Sequence, residues 1–165
     1  MNDQSRNLVL IGWREWLKLP DLGILHIKAK IDTGARTSAL HAFYVDPFLY
    51  HDVQWVRFGI HPLQGNSDAV VDCKAPVKDL RTVTDSGGHK EDRYVIETRL
   101  SLGTVTWPAE ITLTNRDSMK FRMLLGRTAL KGNFLVDSST SYRFGKTTAK
   151  EIAAYRETIT QRSTR

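Results

Sequence analysis

Asp32, Thr33 and Gly34 are the residues best suited to chemistry, because they follow directly on a strongly alternating segment. A carboxylate at the mouth of a strand can take a proton from a water molecule. The glycine permits a tight turn that brings backbone N–H groups toward that carboxylate, and the threonine hydroxyl can tie the turn down. Asp-Thr-Gly is also typical of a plain Asx turn after a strand, so a second sequence element has to decide its role.

That second element is the segment 121–130, FRMLLGRTAL, in which an apolar run ends in Gly126 and is followed by Arg127 and a short helical turn. An Asp-Thr-Gly-Ala loop and a later apolar-apolar-Gly segment, in this order, resemble the retropepsin-like aspartic peptidases. The resemblance implies that Asp32 is catalytic. It also implies an active-site loop and a strand that buttresses it, formed respectively by Thr33, Gly34, Ala35 and by Leu124, Leu125, Gly126, Arg127.

The sequence is still more similar to a small bacterial branch of that family, often labelled "ATP-dependent zinc protease" and associated with RimK-type glutamate ligases. The similarity covers about residues 8–142 and is carried by IGWRE (11–15), KIDTGARTSAL (30–40), RYVI (93–96), MLLGR (123–127) and NFLVD (133–137). The motifs are moderately specific one by one, and their order and spacing strengthen the set.

That label implies ATP hydrolysis and a zinc site, and the sequence lacks the motifs for both. The sequence has no Gly-x4-Gly-Lys-Ser/Thr phosphate loop and no His-Glu-x-x-His helix. The five histidines show no zinc-ligand spacing, and the single cysteine, Cys73, excludes an intrachain disulfide and a Cys-based zinc site. We therefore expect no metal and no cofactor.

Two further features concern substrate binding. The resemblance implies a β-hairpin flap between the two motifs, and its tip is predicted at Ser86, Gly87 and Gly88. Viral retropepsins typically carry an acidic residue where this sequence has Arg36, so Arg127 must find another partner. Arg36 would favour an acidic substrate group, although a solvated or structurally paired arginine explains the position equally well.

The elements that must position these residues are mostly strands. Leu25, Ile27, Ala29 and Ile31 alternate with polar residues up to Asp32, and further strands are predicted at 53–60, 69–73, 80–84, 94–102 and 107–113. Short, nearly continuous apolar strands are predicted at 121–126 and 133–137. Thr148 and Glu151 form a capping-box pattern before a helix whose Ile152, Tyr155 and Ile159 share one side. We predict an all-β fold, a closed retropepsin-like barrel with a flap hairpin, one short helical turn after the apolar-Gly strand and a C-terminal helix. The predicted domains are 1–146, the peptidase, and 147–165, the helical tail.

One carboxylate is too few for aspartic peptidase chemistry, which needs two that share a proton. Asp85 lacks a buried strand before it, and Asp137 lacks the glycine after it, so both are interpreted as turn residues. We therefore predict a homodimer in which the two Asp32 carboxylates activate water to hydrolyse peptide bonds, with acidic, glutamate-rich tails as the expected substrate.

The alternatives are a catalytically silent peptide- or protein-binding module of the same fold, and a nucleic-acid-binding barrel. Trp55, Tyr94, Trp107 and Phe121 would have to stack bases in the latter, yet they sit at core spacing.

The net charge of +6 is unevenly distributed. Residues 1–115 carry 13 basic and 14 acidic groups, whereas residues 116–165 carry 11 and 4. Such an excess can steer an acidic partner or can simply be a solvated surface.

No signal peptide and no long apolar segment is recognisable, so we expect a cytoplasmic protein that binds neither membranes nor nucleic acids.

Overall fold

The computed structural model describes residues 7–115 and 120–163, in which strands dominate. The strands are β1 (Val9–Ile11), β2 (Arg14–Leu19), β3 (Ile24–Ile31), β4 (Ser38–His41), β5 (Tyr44–Tyr50), β6 (Val53–Ile60), β7 (Val71–Pro76), β8 (Asp79–Thr84), β9 (Lys90–Leu102), β10 (Val105–Thr114), β11 (Met123–Leu125) and β12 (Phe134–Val136). The helices are α1 (Arg127–Leu130) and α2 (Ala149–Ser163), and a 3-10 turn covers Pro20–Leu22.

Six strands form a closed barrel in the order β10, β4, β11, β3, β2, β9, and the pairing of β9 with β10 closes it. Strand β8 pairs with the outer edge of β9, so these two form a hairpin that extends from the barrel. A three-stranded sheet (β5, β6, β7) and a parallel pair (β1, β12) complete the fold. The predicted all-β class, closed barrel, short helical turn and C-terminal helix are confirmed.

The barrel interior follows the predicted alternation, with one exception. Ile27, Ala29 and Ile31 of β3 are buried, as the sequence pattern predicts. The prediction was wrong for Leu25, which is 45% exposed, while Ile24 is fully buried in its place. The register between β2 and β3 shifts between Leu17 and Leu19, and such a bulge moves the inward-facing phase by one residue.

Strand β2 places Leu17 and Leu19 inside the barrel. Glu15 of the same face is completely buried, and its carboxylate accepts hydrogen bonds from the backbone N–H groups of Gly12 (2.9 Å) and Arg143 (3.1 Å). A buried carboxylate needs such partners to offset the loss of water. Glu15 therefore joins the chain before β2 to the segment that leads to α2.

The C-terminal helix α2 begins with the predicted capping box. The Thr148 backbone N–H donates to Glu151 Oε2 (2.8 Å), and the Glu151 N–H donates to Thr148 Oγ1 (3.1 Å). Tyr155 and Ile159 are buried in a small apolar cluster with Leu63 and Ala69. The Tyr155 hydroxyl donates to the Gly23 carbonyl (3.0 Å), and burial raises its pKa to about 12. Helix α2 is thus held to the barrel by both packing and a hydrogen bond.

Cys73 is buried against the barrel core, and burial raises the pKa of its thiol to about 12. The side chain is therefore protonated at neutral pH and acts as a small apolar core residue.

Across residues 7–115 and 120–163, no helix combines the length and apolar character needed to cross a bilayer.

Candidate active site

Asp32 follows directly on β3, and its carboxylate is held by its own loop. Asp32 Oδ1 accepts hydrogen bonds from the backbone N–H groups of Gly34 (2.9 Å) and Ala35 (3.2 Å). The Asp32 N–H donates to the Leu125 carbonyl (2.9 Å), which fixes the backbone as well. No hydrogen bond from another described residue reaches Asp32 Oδ2. The loop therefore orients one carboxylate oxygen and leaves the other available on a partly exposed side chain.

The predicted buttress lies beside this loop. Strand β11 runs parallel to β3 and places Leu124 opposite Lys30 and Leu125 opposite Ile31. At Gly126 the chain passes so close to the loop that an added Cβ would lie 2.7 Å from the Thr37 carbonyl. The structure thus brings the apolar-Gly segment and the Asp-Thr-Gly loop together.

Arg127 contacts the backbone of the active-site loop. Its Nη1 donates to the carbonyls of Thr33 (3.0 Å) and Gly34 (3.1 Å), and its own N–H donates to the Ala35 carbonyl (2.8 Å). These carbonyls take the place of the acidic partner that Arg36 cannot provide. Thr33 itself is exposed, and its hydroxyl forms no hydrogen bond within the described part of the chain.

Arg36 lies on the same loop with its side chain exposed. Its carbonyl accepts a hydrogen bond from the Thr128 N–H (3.1 Å), which anchors the backbone to α1. Among the described residues, no carboxylate forms an ion pair with its guanidinium. The arginine is therefore available to an external anionic group, and its role in substrate binding stays a prediction.

The hairpin of β8 and β9 has its tip at residues 85–89. Asp85 Oδ1 accepts hydrogen bonds from the N–H groups of Gly87 (2.8 Å) and His89 (2.9 Å), and Gly88 has a positive φ of 83°. Ser86, Gly87 and Gly88 are all exposed. Asp85 is thus a turn residue, and the use of this tip as a flap stays a prediction.

A buried polar network lies behind the loop, and our sequence-based predictions did not include it. Ser38 Oγ accepts a hydrogen bond from the Gly126 N–H (3.0 Å), and the Ser38 carbonyl accepts one from Thr112 Oγ1 (2.9 Å). Arg93, which is also buried, donates to Thr112 Oγ1 (3.5 Å) and pairs with Glu91 (2.8 Å). No local sequence signal marks this network, because the burial of Ser38 results from the pairing of its strand in the fold.

An open cleft of about 350 Å³ is lined by Trp13, Lys30, Lys120, Phe121 and Leu124, and Lys30 lies two residues before Asp32 in the chain. The Trp13 carbonyl accepts the N–H of Ile31 (2.8 Å), the residue directly before Asp32. The cleft thus adjoins the backbone that leads into the Asp32 loop.

Within residues 7–115 and 120–163, no group of three or more His, Cys, Asp or Glu side chains is arranged to hold a metal ion.

Comparison with known families identifies one that spans most of the chain. The profile of the family described as "RimB-like: Retropepsin-like aspartic endopeptidase RimB" matches residues 10–147.

Curated relatives carry a different name. The chain is 44% identical over 146 residues to a "Probable alpha-L-glutamate ligase" of Parasynechococcus marenigrum (strain WH8102), and 45% identical over 142 residues to one of Shewanella pealeana (strain ATCC 700345 / ANG-SQ1). These alignments cover 88% and 86% of this chain but 31% of each relative. The chain thus spans about a third of the length of the curated relatives it matches.

A solved structure has the same fold. A Legionella pneumophila protein described as having unknown function superimposes with a TM-score of 0.68 and 25% identity, covering 83% of this chain and 98% of that one.

Proposed function

The chain belongs to the RimB-like family of retropepsin-like aspartic endopeptidases, and from this membership we propose that it hydrolyses peptide bonds as a homodimer. The observation that carries the proposal is the hydrogen bonding of the two Asp32 carboxylate oxygens. Two backbone N–H groups hold Oδ1, while Oδ2 is left without a hydrogen bond from the described residues. A carboxylate that is oriented but not neutralised by a cation is suited to proton transfer.

The second carboxylate would come from a second copy of the chain. Two-fold symmetry would place the Asp32 side chains face to face, and the pair would hold one proton between them because like charges disfavour double ionisation. The ionised carboxylate takes a proton from water as that water attacks the scissile carbonyl carbon. The protonated carboxylate donates a hydrogen bond to the carbonyl oxygen, and the amine leaves with a proton returned from the pair.

The substrate proposed is a glutamate-rich protein tail. In the curated relatives, the segment similar to this chain is part of a longer protein named as a glutamate ligase. A domain joined to an enzyme that forms amide bonds to glutamate would meet the glutamate-extended product. The exposed Arg36 beside Asp32 supports an acidic substrate, since a guanidinium pairs well with carboxylates.

Substitution of the catalytic carboxylate tests the proposal. Asp32→Asn should lower kcat/KM for a glutamate-rich peptide by at least about a thousandfold, because the amide cannot accept the proton from water. Asp68→Asn is the matched control: Asp68 is an exposed loop residue paired with Arg156, and this variant should keep wild-type activity. Cleavage products are quantified by mass spectrometry, and circular dichroism verifies the fold of both variants.

Retained cleavage by Asp32→Asn would contradict the mechanism. Absence of cleavage by the wild type at every pH between about 3 and 8, with peptide binding unchanged in Asp32→Asn, would instead support the alternative of a silent binding module.

A further inference from the structure

The outer face of strands β2 and β3 carries a row of cations that leads to Asp32. The strand register places Arg14 opposite Lys30 and Trp16 opposite Lys28. The residues between them, Glu15 and Ala29, are fully buried, so the four cross-strand partners face outward. Together with Lys120, Tyr142 and Lys146 we call these four residues the basic track.

Aromatic rings contact three cations of the basic track, Arg14, Lys28 and Lys146, and Arg14 Nε also donates to Ser141 Oγ (3.2 Å). The Arg14 guanidinium lies 4.6 Å from the centre of the Trp13 ring and 4.8 Å from that of Tyr142, and Lys28 Nζ lies 5.4 Å from that of Trp16. Lys146 Nζ lies 5.4 Å from the Tyr142 ring centre. A cation over an aromatic face is positioned without losing its charge.

Several cations elsewhere on the surface are paired with carboxylates. Ion pairs join Lys78 to Glu97 (2.8 Å), Arg99 to Asp21 (2.5 Å) and Arg81 to both Asp79 and Glu110. Among the residues that the structure describes, no carboxylate pairs with a cation of the basic track. The buried Glu15 uses its oxygens on backbone N–H groups. The positive potential of this face is therefore available to an external anion.

The spacing of the track matches an extended peptide. Lys28 and Lys30 of β3, and Asp32 directly after it, follow one another at every second position of the chain, about 6.6 Å apart. Alternate side chains of an extended peptide repeat at the same interval. An acidic peptide with its scissile bond at Asp32 can thus place one carboxylate at Lys30 and another at Lys28. The apolar walls of the adjacent cleft, Trp13 and Phe121, would pack on the methylene groups of glutamate.

We infer that the basic track is the binding surface for the acidic segment of the substrate, which it aligns in extended form with Asp32. This assignment rests on the proposed peptidase function and adds the residues that select for acidic sequences. A homodimer would carry two tracks related by the two-fold axis, one for each side of the scissile bond. The enzyme would therefore prefer acidic residues on both sides of the bond it cleaves.

Peptide binding tests the track separately from catalysis. Fluorescein-labelled hexaglutamate and hexaglutamine are titrated with the full chain carrying Asp32→Asn, and fluorescence anisotropy gives Kd. We expect hexaglutamate to bind at least about tenfold more tightly, since hydrogen bonds to charged groups dominate this contact. Adding Lys28→Gln and Lys30→Gln should weaken hexaglutamate binding by at least about tenfold. The charge-matched control pair, Lys74→Gln and Lys131→Gln, replaces exposed lysines outside the track and should change Kd less than about twofold.

Three results would overturn the inference: equal affinity for the two peptides, equal weakening by the track and control pairs, or tighter binding of a single-stranded hexanucleotide than of hexaglutamate. Peptide cleavage by the wild-type chain separates this outcome from failure of the proposed function. Equal kcat/KM for both peptides would retain the peptidase and reject the track. Absence of all cleavage, together with hexaglutamate binding that depends on Lys28 and Lys30, would retain the track and reject the peptidase.

Discussion

At the scale of single residues, Gly126 shows how closely the active-site loop and its supporting strand are packed. Its N–H donates to Ser38 Oγ, and an added Cβ would lie 2.7 Å from the carbonyl carbon and oxygen of Thr37. Because these atoms belong to the backbone, a rotamer change cannot relieve the contact. The glycine thereby fixes the separation between β11 and the loop that carries Asp32.

Gly126→Ala should therefore destabilise the protein by about 1–3 kcal/mol, the usual cost of overpacking. Gly87→Ala is the control, since the atoms nearest its added Cβ belong to the side chains of Asp85 and His89 at 3.3 Å, which can move. Urea denaturation of both variants gives the free energies of unfolding. If Gly126→Ala is no less stable than Gly87→Ala, the close packing at Gly126 does not stabilise the fold.

At the scale of elements, helix α2 shows how a local sequence signal is combined with tertiary contacts. The capping box of Thr148 and Glu151 fixes where the helix begins. Burial of Tyr155 and Ile159 then fixes which side packs on the loop that contains Leu63 and Ala69. The helix therefore depends on its cap and on its buried side together.

Thr148→Ala should lower the free energy of unfolding by about 1 kcal/mol, because the Glu151 N–H loses its acceptor. Thr158→Ala is the control within the same helix: its exposed hydroxyl donates to the Ala154 carbonyl, and alanine is the better helix former. Thermal and urea denaturation followed at 222 nm measure both. Equal stabilities of the two variants would show that the capping box is not needed to hold α2.

The same scale shows which elements are predictable from sequence. Strands whose sequences alternate, such as β9 and β10, are predictable, and the Asp32 loop is recognised from its motif together with the segment that ends at Gly126. Strand β4 was missed because all four of its residues are buried, so it has no alternation. The network at Ser38 was missed because its partner Thr112 is 74 residues away, and nothing local specifies that contact.

At the scale of the whole molecule, the fold brings together charged residues that lie far apart in the sequence. Residues 1–115 carry a near-balanced count of charges, which points to the last third as the basic region. The barrel nevertheless brings Arg14, Lys28 and Lys30 from the balanced part next to Lys120 and Lys146 from the basic part. A count along the sequence cannot detect such a surface, because the strand pairing decides which charged residues become neighbours.

At this scale we also propose that two copies of the chain each supply one Asp32 to a single site. Wild-type and Asp32→Asn chains are mixed in different proportions at constant total concentration, allowed to exchange subunits, and assayed for cleavage of hexaglutamate. Asp68→Asn replaces Asp32→Asn in the control series, which should keep full activity throughout.

If a site needs both carboxylates, activity falls with the square of the wild-type fraction, to about one quarter in an equal mixture. If each chain works alone, activity falls linearly, to about one half, and that result would contradict the account.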